Sequence, residues 1–284
     1  MYRYSTSSNQ ASFRSTAPLS NDEIARYAPS VLAEAAHESR GERYTFIPTI
    51  SVIDGLRGEG FQPYEVRQTR VRDQSKREHT KHLVRLRHES SITSAEEVPE
   101  IILINSHDGT SSYQLLSGIF RFVCSNGLIA GDVCSDIRVR HSGNVVDDVI
   151  EGATRILEDT EQVIDRIGTY KGITLSDPEQ QLFANAALSL RWDEGQAPIQ
   201  ADRILRPRRW ADNKSDLWTA FNRIQENLIK GGVPGRSASG RRVSSRAVGG
   251  VSENVKLNRA LWTLADGLAQ LKSNTIDIQE LIAA

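Results

Sequence analysis

The chain has 284 residues, 38% hydrophobic and 25% charged, with 35 Lys and Arg against 36 Asp and Glu. That length supports one large domain or two smaller ones with a sizeable core, and the composition is ordinary for a soluble protein. No run reaches the roughly 18 consecutive apolar residues of a membrane helix. The two cysteines, Cys124 and Cys134, are too few for a disulfide framework and suit a reducing cytosol.

Residues 1–19 have no apolar h-region and are rich in Ser and Arg, so they read as a disordered polar tail. Ser20 opens an S-x-x-E capping box with Glu23, followed by Ile24, Tyr27, Val31 and Leu32 at helical spacing. Thr49 starts a short second helix carrying Ile50, Ile53 and Leu56, which Gly58 and Gly60 stop. From Phe61 the period changes to two, and three strands follow in an antiparallel meander: one from Phe61, one over 82–88 and one over 100–105. The segment 111–123 reads as an amphipathic helix with Leu115, Leu116, Ile119, Phe120 and Val123 as its buried stripe. A small hairpin over 128–130 and 137–140 comes next. Beyond Gly143 the pattern is helical: a long stripe from Val146 to Ile167, a helix over 176–192 with a second box (Ser176, Glu179), one at 217–228 and one at 255–271. Between the last two, residues 231–250 form a Gly/Ser/Arg linker with little to bury, expected to be mobile.

The expected architecture is therefore α+β: an antiparallel β-meander packed on an amphipathic helix, followed by an all-helical C-terminal region. The domain limits are a tail at 1–19, a core at 20–143 and a helical region at 144–284.

Charge is segregated along the chain. The stretch 57–88 is basic, 145–166 is acidic, and 230–246 carries Arg236, Arg241, Arg242 and Arg246 with no acid. Such asymmetry marks a polyanion-binding face or lets neighbouring subunits attract one another. Arg67 with Thr69, and Arg85 with Arg87, alternate with apolar positions and so share sheet faces. Phosphate contacts need charge and reach, and single-strand binding adds aromatic stacking, for which Tyr64 and Phe61 are candidates. The candidate phosphate contacts are Arg67, Arg70, Arg72, Lys76, Arg77, Lys81, Arg85 and Arg87, with Arg121, Arg138 and Arg140 in second rank.

Catalytic constellations are weaker. His79-x-x-His82 with His88 lacks a Cys or carboxylate pair to complete a metal site. Cys124 with His107 could pair a thiol with a base, but a small thiol at the end of an apolar stripe is ordinarily core. Asp108-Gly109 with Ser106 is what a tight turn requires. No phosphate-binding loop, dinucleotide fingerprint or G-x-S-x-G occurs. No cofactor and no metal are expected.

YTFIPT (44–49), NSHDGTSSYQLLSGIFRFVCSNGL (105–128) and the C-terminal WTAFNRIQENLIKGG…GRR…LNRALW resemble the phage- and plasmid-borne "domain of unknown function 932" family over most of the chain after the tail. The resemblance supplies no catalytic residues. It implies a mobile-element protein of the bacterial cytoplasm, encoded near replication, recombination and anti-restriction functions. A second resemblance is one of element order. A helix ending at Gly60-Phe61, a three-stranded meander and an amphipathic helix are similar to the core of Rad52-type single-strand annealing proteins. Those proteins form rings and bind single-stranded DNA in a basic groove without nucleotide or metal chemistry.

The leading expectation is thus a non-enzymatic single-stranded DNA-binding protein, with RNA as the other candidate ligand, acting in recombination as a homo-oligomer or ring. Two alternatives stand beside it: a protein–protein inhibitor of a host defence or restriction system, and a hydrolase or nuclease using His107, Asp108 and Cys124.

Overall fold

The structure, a computed structural model, describes residues 12–41, 44–92, 96–122, 126–129, 137–139, 145–237 and 239–283. The fold is α+β, with a curled antiparallel sheet and a helical C-terminal region. It divides into two compact units. The first comprises Met1–Phe122, Cys134–Thr160 and Gly249–Val251, and the second Val123–Val133, Glu161–Val248 and Ser252–Ala284.

In the first unit, strand β1 (Ser12–Arg14) precedes helices α1 (Asn21–Tyr27) and α2 (Thr49–Gly58). Strands β2 (Phe61–Gln68), β3 (His82–His88), β4 (Glu97–Asn105) and β5 (Tyr113–Arg121) follow. After β6 (Asn126–Ile129), which belongs to the second unit, come β7 (Ile137–Val139) and α3 (Val145–Glu158). Within this unit every strand pairs antiparallel in the order β1-β2-β3-β4-β5-β7. The register sets Val66 opposite Val84, Val84 opposite Leu103, and Leu103 opposite Leu115. These residues make one buried face, on which α2 lays Val52, Ile53 and Leu56 and α3 lays Val149, Ala153 and Ile156. At about 1.5–3 kcal/mol for each fully buried aliphatic side chain, this layer is the chief stabiliser of the unit. Pro63, which cannot donate to a ladder, sits where the β2–β3 register slips by one residue.

Several expectations are corrected. Residues 113–121 are a strand, not the predicted helix. Both faces of β5 are buried, so apolar residues fill both phases of the period-two pattern and mimic a helical stripe. With a fourth strand in that place, the element order behind the Rad52-type likeness does not hold, and that likeness is withdrawn. Part of the expected disordered tail is ordered, since β1 pairs with β2, Arg14 lying opposite Glu65. β7 pairs with β5, where a hairpin with the preceding strand was expected. Finally, α3 packs in the first unit, so the boundary falls at Thr160 and not at 143.

The second unit contains α4 (Thr160–Gly172, from Glu161 onward), α5 (Asp177–Ser189), α6 (Ala201–Ile204), α7 (Leu217–Lys230) and α8 (Val251–Ala283, from Ser252 onward). Both capping boxes form as the sequence demands: Glu23 and Glu179 carboxylates accept the Ser20 and Ser176 backbone N–H at 3.0 and 2.7 Å. Helix α7 is buried at every residue from Leu217 to Ile229, so its polar side chains must find partners. Arg223 donates to Gln180 at 2.7 Å, Gln225 to Asn258 at 2.7 Å, and Asn227 to the Ile204 carbonyl at 2.8 Å. Asp216 caps the helix by accepting the Thr219 N–H at 2.8 Å. Trp218, Phe221, Trp262 and Tyr170 form its aromatic surround. The expected mobile linker is instead a pinned hairpin, in which β8 (Pro234–Arg236) pairs with β9 (Arg242–Ser244). The Ser245 N–H donates to Val233 at 2.9 Å and Val248 to Ile229 at 2.8 Å, and the Val233 and Val248 side chains are buried, so backbone bonds and two valines fix the segment.

Candidate functional site

The arginines of the strands do share one sheet face, as their spacing requires, but they do not project into water. Arg85 and Arg87 are each 2% exposed. Arg87 Nε donates to Glu100 at 3.0 Å, and Arg85 Nη1 donates to the other oxygen of the same carboxylate at 2.8 Å. Arg85 Nε also lies 3.4 Å from Glu65, which binds Arg14 and lies 3.5 Å from Arg67. The result is an alternating chain, Arg87–Glu100–Arg85–Glu65–Arg14/Arg67, laid across β1 to β4. Burial raises the Glu65 pKa, but Arg14, Arg85 and Arg67 outweigh it and hold the carboxyl at about 2. Gly118 makes room for this chain: a Cβ there would lie 2.7 Å from Ile102 and 3.2 Å from the Arg85 guanidinium.

Neither expected stacking residue is free to stack on a base. Phe61 is in the core, and the Arg87 guanidinium lies over the rings of Phe120 at 3.8 Å and Tyr64 at 4.3 Å. Arg121 is also buried, with its guanidinium 2.7 Å from Glu96. Arg67, Arg85, Arg87 and Arg121, together with Tyr64 and Phe61, are therefore parts of the framework. The remaining candidates are placed differently. Arg70, Arg72 and Arg77 are exposed, and Lys76 and Lys81 half-buried, on the β2–β3 connection. Arg138 is exposed on β7, and Arg140 lies outside the described residues.

That connection is ordered. Thr69 N–H donates to the Lys81 carbonyl at 2.8 Å, Gln68 Nε2 to the Arg77 carbonyl at 2.7 Å, and Asp73 accepts the Ser75 N–H at 3.0 Å. Its acids are Asp73 and Glu78, and Asp73 already serves the turn.

At the same end of the sheet lies a buried polar network built from the NSHDG phrase. Gln68 spends its amide N–H on Arg77, so its carbonyl oxygen accepts from the Ser30 hydroxyl at 2.8 Å. Ser30 Oγ must then accept from His82 Nδ1, 2.9 Å away, which puts the His82 proton on Nδ1. His82 Nε2 therefore accepts the Thr49 hydroxyl proton at 3.0 Å. Thr49 Oγ1 in turn accepts from Asn105 Nδ2 at 3.0 Å and His107 Nε2 at 3.1 Å. Each proton is assigned by its neighbour, and the chain runs unbroken from Arg77 to His107. Burial, reinforced by the proximity of His107, drops the His82 pKa to about 3. Burial also pushes the Tyr113 phenol up, and its hydroxyl donates to the Ile47 carbonyl at 2.9 Å.

This arrangement welds α2, β3, β4 and β5 together. His107 is fully buried, while Asp108 holds the following turn by accepting from Thr110 N–H at 3.0 Å and its hydroxyl at 2.6 Å. Gly109 adopts φ +78° beneath the Arg40 guanidinium, which a Cβ would strike. Cys124 and Cys134 lie outside the described residues. His88 sits apart from His82, against Phe61 and the Glu59 carbonyl. Among the described residues no group of three His, Cys, Asp or Glu side chains is placed to hold a metal, and no helix is long and apolar enough to cross a membrane.

One residue that sequence reasoning passed over stands out in the second unit. Trp210 is 90% exposed within the run Arg206-Pro207-Arg208-Arg209-Trp210. Its signal was available there: an aromatic among cations, outside any apolar periodicity.

A family model described as "Domain of unknown function (DUF932)" matches residues 36–262. The chain is 55% identical over 251 residues to the UPF0380 protein YfjQ of Escherichia coli (strain K12), covering 88% of this chain and 92% of that relative. It is 54% identical over 251 residues to the UPF0380 protein YafZ of the same strain, with the same coverage of both chains. No solved structure matches.

Proposed function

The chain belongs to the DUF932 family, and we propose that it is a non-enzymatic, cytoplasmic protein that binds single-stranded DNA through the cationic β2–β3 connection of its sheet unit. The observation that carries this reading is the division of the basic residues into two populations. Guanidiniums on the strands are tied to Glu65, Glu96 and Glu100. Those of Arg70, Arg72 and Arg77 face water on an ordered turn, with Lys76 beside them. A turn held by backbone and side-chain bonds keeps its cations in place at little further entropic cost, which favours phosphate contacts over diffuse attraction.

The assay is binding of a labelled single-stranded oligonucleotide across a salt series. Each phosphate contact contributes about 0.7 to the slope of log affinity against log salt for single strands. A Lys76→Glu/Arg77→Glu variant is expected to bind more weakly and with a shallower slope. Absence of binding by the wild type at low salt, or unchanged binding by the variant, would refute the reading. Preference for RNA of the same sequence would change the ligand and keep the surface.

A further inference from the structure

We propose that Trp210 is a base-stacking platform, and that with the arginines of the β8–β9 hairpin it makes a second single-strand surface on the helical unit. The inference rests on the reading that the chain binds single-stranded nucleic acid, and it adds a site, a residue and a mode of contact.

Residues 201–250 contain eleven Arg and Lys against four acids. Every one of those acids is engaged. Asp212 and Glu226 are buried and share Arg209, and Glu226 also accepts from Lys230 at 2.8 Å. Asp216 caps α7, and Asp202 lies within 3.7 Å of Arg206 and 3.5 Å of Arg203. The exposed positive charge of Arg236, Arg241, Arg242 and Arg246 therefore has no carboxylate within its own segment left to offset it.

Trp210 is held out by a rigid turn. Its neighbour Arg209 donates to Glu226 at 2.7 and 2.9 Å and to Asp212, while Asp212 N–H donates back to the Arg209 carbonyl at 3.2 Å. Arg208 Nε donates to Asn227 at 2.7 Å, and its other nitrogen donates to the Gly231 carbonyl, where the hairpin begins. Hairpin and tryptophan are thus anchored to the same end of α7. The hairpin is itself fixed, since Arg236 N–H donates to the Pro198 carbonyl at 2.8 Å and Arg191 donates to the Arg246 carbonyl at 2.6 Å.

An indole left in water forfeits a large burial gain, and on a rigid turn it offers a preformed face that an occupant can cover. The chemistry around it selects among occupants. A lipid surface or a protein hot spot needs contiguous apolar area, yet Trp210 is the one exposed large apolar side chain of 201–250 among the described residues. An exposed aromatic face, with the exposed arginines of the hairpin anchored to the same helix end, suits an unpaired base with its flanking phosphates.

The test is fluorescence anisotropy with labelled oligothymidylate, a blunt duplex and heparin, using wild type, Trp210→Ala, Trp210→Phe and Lys76→Glu/Arg77→Glu. Trp210→Ala is expected to weaken oligothymidylate binding roughly five- to a hundredfold. Trp210→Phe should retain most of the affinity, and duplex and heparin binding should be unchanged. Wild-type affinity in Trp210→Ala, with weakening only in the Lys76/Arg77 variant, would overturn this inference and leave the proposed function standing. The converse pattern would keep the platform and remove the β2–β3 connection. Absence of binding by the wild type would remove both. Binding of anionic vesicles that Trp210→Ala abolishes, with oligothymidylate binding unaffected, would overturn the platform in favour of a lipid surface.

Discussion

His82 makes the stability of the sheet unit depend on pH in a way that one substitution can isolate. Its ring is fully buried, with the proton on Nδ1 given to Ser30 and the bare Nε2 accepting from Thr49. The folded protein holds it neutral with a pKa of about 3, while the unfolded chain titrates near 6.5. A folded value below the unfolded one means that the unfolded state takes up the proton first. The stabilisation is therefore complete above pH 6.5 and is lost as pH falls toward 3. At about 1.4 kcal/mol per pH unit, lowering the pH from 7 to 5 should cost about 2 kcal/mol through this group alone. Urea unfolding at pH 7, 6 and 5 measures it for wild type and for His82→Gln, which keeps a polar side chain and cannot titrate. The variant starts lower, by about 1–3 kcal/mol for the unsatisfied neighbours, but should lose about 2 kcal/mol less over the interval. Measurements stop at pH 5 because Glu65, held at about 2, adds its own loss once the unfolded carboxylates protonate near 4.5. Equal losses in the two proteins would refute the tautomer chain and the buried neutral state together.

Glu100→Gln should destabilise the protein by about 3–5 kcal/mol in denaturant unfolding, because it leaves two buried guanidiniums without their shared carboxylate. A change under 1 kcal/mol would mean that Arg85 and Arg87 are not enclosed as described. Arg241→Gln/Arg242→Gln should leave unfolding stability within about 0.5 kcal/mol, since both side chains are exposed. The same variant should weaken oligothymidylate binding, and a large loss of stability would assign these residues to the fold.

What the sequence disclosed follows the range of the interactions. Ser20 with Glu23 and Ser176 with Glu179 lie three residues apart, so each helix start was written locally and was found where expected. The alternation of Arg85 and Arg87 correctly placed them on one face. Whether that face meets water depended on Glu100 and Glu65, brought alongside only by the β2–β3–β4 register. Glu65 lies opposite Arg85 in that register, a pairing that no local window contains. The misread strand has the same origin. Leu115, Leu116, Ile119 and Phe120 fit a helical stripe because both of their faces are covered, and Gly118 was the one local hint, a poor helix residue in mid-segment. The hairpin at 234–244 escaped because backbone carbonyls on distant elements hold it, and these leave no mark on composition.

Arginine is used in two ways in this chain, and the contrast bears on function. Between the strands each guanidinium is matched to a carboxylate, because an unmatched buried charge would cost several kcal/mol. The fold gives Arg85, Arg87 and Arg121 each a carboxylate, and the one buried nitrogen this leaves without a hydrogen bond, Arg87 Nη2, belongs to a guanidinium that lies over the Phe120 ring. No carboxylate is matched in this way to Arg236, Arg241 and Arg242 within their own segment. They sit close together on one hairpin, where like charges repel, with no acid among residues 230–246. Folding draws on Arg236, which donates to the Gly240 carbonyl at 3.0 Å, but the rest of the hairpin is held by backbone bonds and the contact of Gly235 against the Pro198 carbonyl. Solubility needs no such clustering, because dispersed charges of either sign provide it. A cluster larger than folding or solubility requires, anchored to the same helix end as a tryptophan kept out of the core, is the composition of a surface that meets a polyanion with exposed aromatic faces.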